Sequence, residues 1–319
     1  MSREDRSSAL QGWGGIDLLL LAVAGMWGTN FSVLKVGLAD VPPLFFAAAR
    51  FVIALALMVP WALSSGHSLR VARQEWLPIA GVGLLGHAAY MVLFLHGAAR
   101  TSAANAAMIL ATVPVWVAVI GSASRLERVT RWGWAGACLA LAGVFLIVIG
   151  GVDGAQLEFG GASAAGDALV LLATLAWSGY SVLVNPILKR CPPVTVTVLS
   201  ITVGTVPLVL LTLPFVSPAK LLAISTRGWT ALIVSAVIGI ALPYFIWNFG
   251  ILRLGSARTS LYSYVTPCFA LIVAYLWLGE PLTLLQICGG ALVLVGVGLA
   301  RRPEGASKML AVGPGSARS

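Results

Sequence analysis

Unbroken apolar runs of about twenty residues, recurring from Ile16 to Ala300, constrain this chain more than any motif within it. Wound as a helix rising ~1.5 Å per residue, such a run matches the ~30 Å hydrocarbon core of a bilayer. Ten runs can be delimited, at about 16–37, 43–64, 76–97, 102–122, 131–150, 164–188, 194–216, 229–252, 256–278 and 282–300, each expected to cross the membrane as a helix. Transmembrane strands would instead read as alternating segments of about ten residues. With 59% hydrophobic and 10% charged residues and a mean hydropathy of +0.95, the chain lies outside the soluble globular class. The expected fold class is an all-α, polytopic membrane protein. The first run is long and carries Thr29 and Asn30, so it reads as a span and not as a cleavable signal.

A net charge of +9 would suit nucleic acid, but the cations sort by side of the membrane. With the N-terminus inside, the cytoplasmic face collects Arg3, Arg6, Arg70, Arg73, Arg125, Arg128, Arg131, Lys189, Arg190, Arg253, Arg258, Arg301, Arg302, Lys308 and Arg318. The outer face keeps Lys35, Arg100, Lys220 and Arg227, and Arg50 falls inside the second span. That bias assigns both termini to the cytoplasm and implies the lipid bilayer, not nucleic acid, as the charged partner; the expected location is a bacterial-type inner membrane. Cys138, Cys191, Cys268 and Cys288 show no metal-like spacing and are expected to be packing residues without disulfides.

Two halves of the chain match one another. At an offset of 150 residues Asp17 pairs with Asp167, Trp27 with Trp177 and Pro42-Pro43 with Pro192-Pro193. At an offset of 153, Trp76 pairs with Trp229, Gly97 with Gly250, Arg100 with Arg253, Pro114 with Pro267, Glu127 with Glu280, Gly136 with Gly289 and Gly143 with Gly296. Each half holds an odd number of spans, so the second enters from the opposite side, which predicts an inverted 5+5 repeat around a central cavity. The expected divisions are a cytoplasmic lead at 1–15, a first repeat at 16–150, an outer linker at 151–163, a second repeat at 164–301 and a mobile cytoplasmic tail at 302–319.

The Trp27-Gly28-x-Asn30-Phe31 block, Pro42-Pro43 followed by Arg50, Gly97 through Pro114 to Glu127, and Gly250 through Pro267 to Gly279-Glu280-Pro281 resemble the EamA-type branch of the drug/metabolite transporter superfamily. The resemblance spans residues 15–301. It implies ten helices around a central cavity, alternating access, and export of amino acids or related metabolites. The second copy departs from the pattern, with Ser178, Tyr180 and Ser200 where the first has Gly28, Asn30 and Arg50.

The motifs of other functions are missing. No Gly-x-Ser-x-Gly elbow, Walker loop or His-Glu-x-x-His pair occurs, so neither common hydrolysis nor ATP-driven transport is expected, and no metal or other cofactor. Gly81-Val82-Gly83-Leu84-Leu85-Gly86 matches a dinucleotide fingerprint by letter, but it lies in an apolar span with no strand before it and reads as close helix packing.

Polar aromatics at mid-span depth offer a different chemistry. Trp27 and Trp177 each follow an aspartate by ten residues, roughly 15 Å into a helix. Trp27 and Asn30 in the first span, His87 and Tyr90 in the third, Trp177 and Tyr180 in the sixth, Tyr244, Trp247 and Asn248 in the eighth, and Tyr262 in the ninth are the expected substrate-binding set. Interhelical packing with each polar tip satisfied by a neighbour is the competing reading. Arg50 could hold a substrate carboxylate, but bonding to helix-end carbonyls or snorkelling toward headgroups is the favoured reading, and Lys35 and Arg100 read as interfacial cations. Glu127, Glu280, Asp17 and Asp167 are expected to serve the N-termini of the helices they begin. No carboxylate lies mid-span, which leaves His87 or the substrate gradient to drive transport. Pro114 and Pro267, at matched positions, each remove a backbone hydrogen bond and are expected to act as gating hinges or static kinks.

The function these features predict is a secondary transporter exporting small neutral metabolites, aromatic or other apolar amino acids first. Drug-like cations or nucleosides are the alternative cargo; a lipid-modifying enzyme lacks a catalytic motif, and a passive channel would lack saturation. The oligomeric state stays open, a monomer included. In a variant lacking the four native cysteines, Ser124→Cys should resist an impermeant thiol reagent in intact cells while Gly154→Cys is labelled; the reverse would invert the orientation.

Overall fold

A computed structural model of the protein describes residues 14–150, 163–278 and 281–301. The segments expected before residue 14, between 151 and 162 and beyond 301, and with them Gly279 and Glu280, lie outside the described residues. Among those described, every long element is a helix and no strand occurs. The helices are α1 Gly15–Leu38, α2 Pro43–Ser64, α3 Arg73–Ala98, α4 in two pieces, Ala103–Leu110 and Val113–Ala123, and α5 Arg131–Ile149. They continue with α6 Ala164–Leu188, α7 Pro193–Phe215, α8 Thr226–Leu254, α9 Ser256–Trp277 and α10 Leu284–Ala300. Nine of these are long and apolar enough to cross a membrane among the described residues, and α10 has 17 residues. Leu57, Trp61, Leu77, Leu210 and Leu284, all strongly exposed, belong to the lipid-facing surface of this multi-pass protein.

Local chemistry sets the helix starts. Pro43 and Pro193 open α2 and α7 at a position where the missing N–H would have no intrahelical partner. Ser102, Thr130, Ser225 and Thr283 side chains accept from backbone N–H groups three residues on, at 3.0–3.2 Å. Gln286 completes a capping box at α10 by accepting from Thr283 N at 3.0 Å. Between α8 and α9 the chain turns at Gly255 with φ of 85°, a conformation a side chain would strain.

Small residues let the helices touch through their backbones. A methyl group built at Gly143 would lie 2.6 Å from the Gly289 carbonyl oxygen and 2.7 Å from Val293 N; one at Gly289 would lie 2.6 Å from the Gly143 oxygen. Gly136 and Gly296 meet in the same way about two turns away, earlier in α5 and later in α10. The pairs are reciprocal at the sequence offset, since Gly136 corresponds to Gly289 and Gly143 to Gly296. The same reciprocity joins Gly97 to Val170 and Gly250 to Leu20, Gly86 to Tyr180 and Gly239 to Asn30. Two π-helical turns, Leu84–Ala89 in α3 and Val237–Ala241 in α8, also fall at matched positions. Gly83 and Gly86 of the fingerprint-like stretch press on Ser200 and Tyr180, as close packing requires, whereas Gly81 faces open space.

The acidic residues at helix ends bond across helices. Glu127 does not serve α5, the helix it precedes. Its carboxylate instead accepts from Ser256 N at 2.5 Å and Ala257 N at 2.8 Å, at the start of α9, and from Asn185 Nδ2 at 2.7 Å on α6. The sharp turn at Gly255 brings the α9 amides to this carboxylate, and the helix dipole favours the charge there. Asp17 does accept from Gly14 N at 2.7 Å at its own helix start, and also pairs with Arg301 at 2.7 Å and accepts from the Tyr262 hydroxyl. Asp167 accepts from the Thr101 hydroxyl and from Asn105 Nδ2 at 3.1 Å. Arg190 grips Glu75 through two bonds of 2.8 and 2.9 Å.

Gly143→Val should lower the melting temperature of the detergent-purified protein, overpacking of this order costing about 1–3 kcal/mol. Glu127→Ala should destabilise it by about 1–3 kcal/mol because it strands two amides and a carboxamide. Thermal unfolding beside the parent chain measures both, and an unchanged melting temperature would contradict the packing or the cap.

Candidate functional site

The central feature is a cluster of aromatic rings drawn from α1, α2, α3, α6 and α8. Trp27 approaches Trp247 with ring centroids 5.1 Å apart and Trp177 at 6.2 Å. Trp177 stacks on Tyr180 at 5.2 Å and meets Tyr90 and Tyr244 at 5.5 Å each. His87 stacks on Tyr244 at 5.3 Å and tilts against Tyr180 at 4.9 Å. Phe94 extends the cluster by stacking on Tyr90 at 6.0 Å. Offset and edge contacts at these separations suit ring quadrupoles and produce a stiff, apolar wall with polar tips.

Backbone irregularity positions several of these groups. His87 lies within the π turn of α3, and Tyr244 follows the π turn of α8 and Pro243. A π turn inserts one residue and so rotates the following face by about 100°, which lets side chains of both turns converge. The carbonyl of Gly239, inside the second π turn, accepts from Trp27 Nε1 at 3.1 Å.

Hydrogen bonds fix the polar tips. Tyr180 donates to Asn248 Oδ1 at 3.0 Å, and Asn248 Nδ2 donates to Thr197 Oγ1 at 2.8 Å. Asn30 Oδ1 accepts from Ser235 Oγ at 2.7 Å, and His87 Nε2 lies 3.2 Å from Ser200 Oγ. His87 is wholly buried and its Nδ1 has no partner; the buried Trp247 Nε1 has none either. Unpaired polar atoms in so apolar a place are costly, and a ligand is one way of satisfying them.

The structure therefore gathers Trp27, His87, Tyr90, Trp177, Tyr180, Tyr244 and Trp247 into one cluster, with Asn30 and Asn248 bonded at its edge. Tyr262 lies elsewhere, its hydroxyl on Asp17 where α1 and α9 meet the end of α10. Phe51, absent from the sequence-derived set, reaches both His87 at 6.1 Å and Tyr244 at 6.4 Å. Its position directly after Arg50 was the available signal. Ser235 and Thr197 are also absent from that set, and Ser200 enters the sequence reading only as a departure from Arg50, because hydroxyls are common in membrane helices, where they bond the preceding turn as readily as a neighbour.

Pro114 and Pro267 are not mid-helix in the ordinary sense. Each stands in the first turn of a new helical piece, after the turn at Ala111–Thr112 in α4 and after the 3₁₀ stretch Leu261–Val265 in α9. Both spans are thus discontinuous near the middle of the sequence interval they cover, as substrate-bearing helices of transporters often are.

Comparison with known proteins agrees with this architecture. The model of the EamA-like transporter family matches the chain twice, over residues 14–149 and 164–302. A "Probable terminal-alkyne amino-acid exporter" of Streptantibioticus cattleyicolor is 30% identical over 86% of this chain and 90% of its own length. A "Probable amino-acid metabolite efflux pump" of Salmonella typhimurium is 26% identical over 88% of this chain and 92% of its own. A chloroplastic WAT1-related protein of Arabidopsis thaliana is 29% identical over 95% of this chain and 74% of its own. A solved structure, 20% identical, superposes with a TM-score of 0.77 over 90% of this chain and 96% of that one, which establishes a shared fold. With two matches that together take in nearly every described residue, the chain belongs to the EamA-like transporter family, whose members are membrane transporters and not enzymes.

Proposed function

We propose that this protein exports small neutral metabolites, aromatic or bulky apolar amino acids first, across a bacterial-type inner membrane with both termini in the cytoplasm. The observation that carries this reading is the meeting of Trp27, Trp177, Tyr244 and Trp247 around His87 and Trp247 atoms that lack hydrogen-bond partners. Flat aromatic faces suit an aromatic or branched side chain, and the unpaired polar atoms suit the groups at its α-carbon. Two relatives named as amino-acid exporters support the same cargo.

In this proposal residues 16–150 and 164–301 are inverted halves, joined by the linker at 151–163, and alternating access moves one against the other. The reciprocal glycine contacts, the matched π turns and the double family match support the division. The helix breaks beside Pro114 and Pro267 would be the hinges, because a discontinuity already lacking hydrogen bonds bends at least cost. The rings now touch one another, so admitting a substrate requires the halves to separate.

Flux of labelled phenylalanine, tryptophan, methionine and threonine from proteoliposomes tests the assignment. Trp27→Ala and His87→Ala should weaken apparent binding by about 1–3 kcal/mol, the cost of a lost aromatic face or an unpaired polar group. Transport of an organic cation or nucleoside with no amino acid moved would overturn the cargo and leave the family intact.

A further inference from the structure

Arg50 is a buried charge without a carboxylate partner among the described residues. It lies seven residues beyond Pro43, roughly 10 Å into α2, and is 8% exposed. Its Nη1 donates to Ser235 Oγ at 3.2 Å, and its Nη2 reaches only the Met91 sulfur, a weak acceptor, at 4.0 Å. The guanidinium stands 5.6 Å from the Phe46 ring, and the buried Nε has no partner.

The carboxylates among the described residues are engaged elsewhere. Asp17 pairs with Arg301, Asp40 accepts from Ser225, Glu75 holds Arg190, Glu127 caps α9, and Asp167 accepts from Thr101 and Asn105. None of them lies within 4.0 Å of the Arg50 guanidinium. A cation held at membrane depth with one neutral hydroxyl and an aromatic face is a costly arrangement unless an anion visits it.

Its surroundings say where that anion would sit. Ser235 Oγ, which accepts from Arg50, donates to Asn30 Oδ1, and Asn30 packs on Gly239, whose carbonyl takes the Trp27 indole N–H. The next residue, Phe51, contacts His87 and Tyr244. Arg50 therefore borders the aromatic cluster. At the matched position of the later half stands Ser200, neutral and bonded to His87, so the charge is confined to one side.

We propose that Arg50 is the anion-recognition residue of this site and binds the carboxylate of the substrate, which makes the transported class aromatic carboxylates, zwitterionic amino acids among them, and excludes organic cations. The inference rests on the aromatic cluster being the substrate site. A guanidinium presents a planar fork of donors that a carboxylate can accept in pairs, which a lysine ammonium does not reproduce. Its positive charge repels an amine that has no carboxylate, whatever the fit of the ring.

Equilibrium binding to the full-length, detergent-purified chain tests this with 3-phenylpropionate, phenylalanine and phenethylamine. The parent should bind both carboxylates more tightly than the amine. Arg50→Gln should lose roughly 30-fold or more for the carboxylates and leave the amine unchanged or improved, with Arg50→Lys in between. Equal loss for all three probes would reduce Arg50 to a structural residue and overturn the proposal. A parent preferring phenethylamine would overturn it without any variant, so the test survives a variant that fails to fold. Binding of phenylpropionate without phenylalanine would support the anion site and overturn the amino-acid cargo; binding of none would overturn both.

Discussion

Hydrocarbon offers a peptide backbone no hydrogen-bonding partner, and the rest of the structure follows from meeting that demand internally. Long helices meet it on the lipid face. Where the helices break, side chains take over. At the interruption of α4, Thr112 Oγ1 donates to the Ile109 carbonyl at 2.6 Å and accepts from Trp116 Nε1 at 3.1 Å. In α9, Ser260 and Ser263 hydroxyls donate to carbonyls three residues back, at 2.8 and 2.7 Å, through the 3₁₀ stretch. Pro114 and Pro267 then fall where an N–H is not required. Local chemistry thus tolerates irregular backbone inside the bundle, where a transporter needs it.

Burial of apolar surface cannot hold such a bundle together, because lipid tails are as apolar as leucine. Close van der Waals contact and interhelical hydrogen bonds remain. The glycines of α5 and α10 bring two backbones into contact, Gly83 and Gly97 do the same for α3 against α7 and α6, and Gly86 makes room for the Tyr180 ring. At the helix ends, Glu127, Asp17, Asp167 and the Arg190–Glu75 pair join segments distant in sequence.

The spans were legible because length and hydropathy report the membrane directly. The expected run 43–64 is α2 to the residue, and 164–188 is α6. The convergence of Trp27, His87, Trp177 and Tyr244 was legible for a related reason: a hydrogen-bonding aromatic at mid-span gains nothing from lipid and so faces inward. What escaped depends on depth and pairing. Tyr262 shares a residue type with the cluster, but it lies only six residues into α9 and its hydroxyl meets Asp17 in the first turn of α1, so it stands toward the end of the bundle and not at mid-span. Glu127 reads as the start of α5, yet its partners are 129 and 130 residues away, beyond the reach of a local capping rule. Phe51 and Ser235 became visible only when α2 and α8 were set beside α3 and α1.

Matched positions of the two halves show how one scaffold can carry unequal chemistry. Gly28 and Ser178 face equivalent carbonyls: a methyl group at Gly28 would lie 2.9 Å from Thr266 O, and the Ser178 hydroxyl donates to Val113 O at 3.3 Å. Asn30 and Tyr180 both pack on the glycine of a π turn, but one accepts from Ser235 and the other donates to Asn248. Arg50 and Ser200 both lie in the helix that follows a Pro-Pro step, one charged and the other bonded to His87. Backbone contacts conserve the frame because a helix seam tolerates little change in volume. Side chains pointing between the halves are free of that restriction. If the aromatic cluster takes the proposed substrate, a guanidinium at Arg50 and a hydroxyl at Ser200 set unlike polar groups at matched positions, and a molecule with one anionic end and one aromatic end would have a single favoured orientation there.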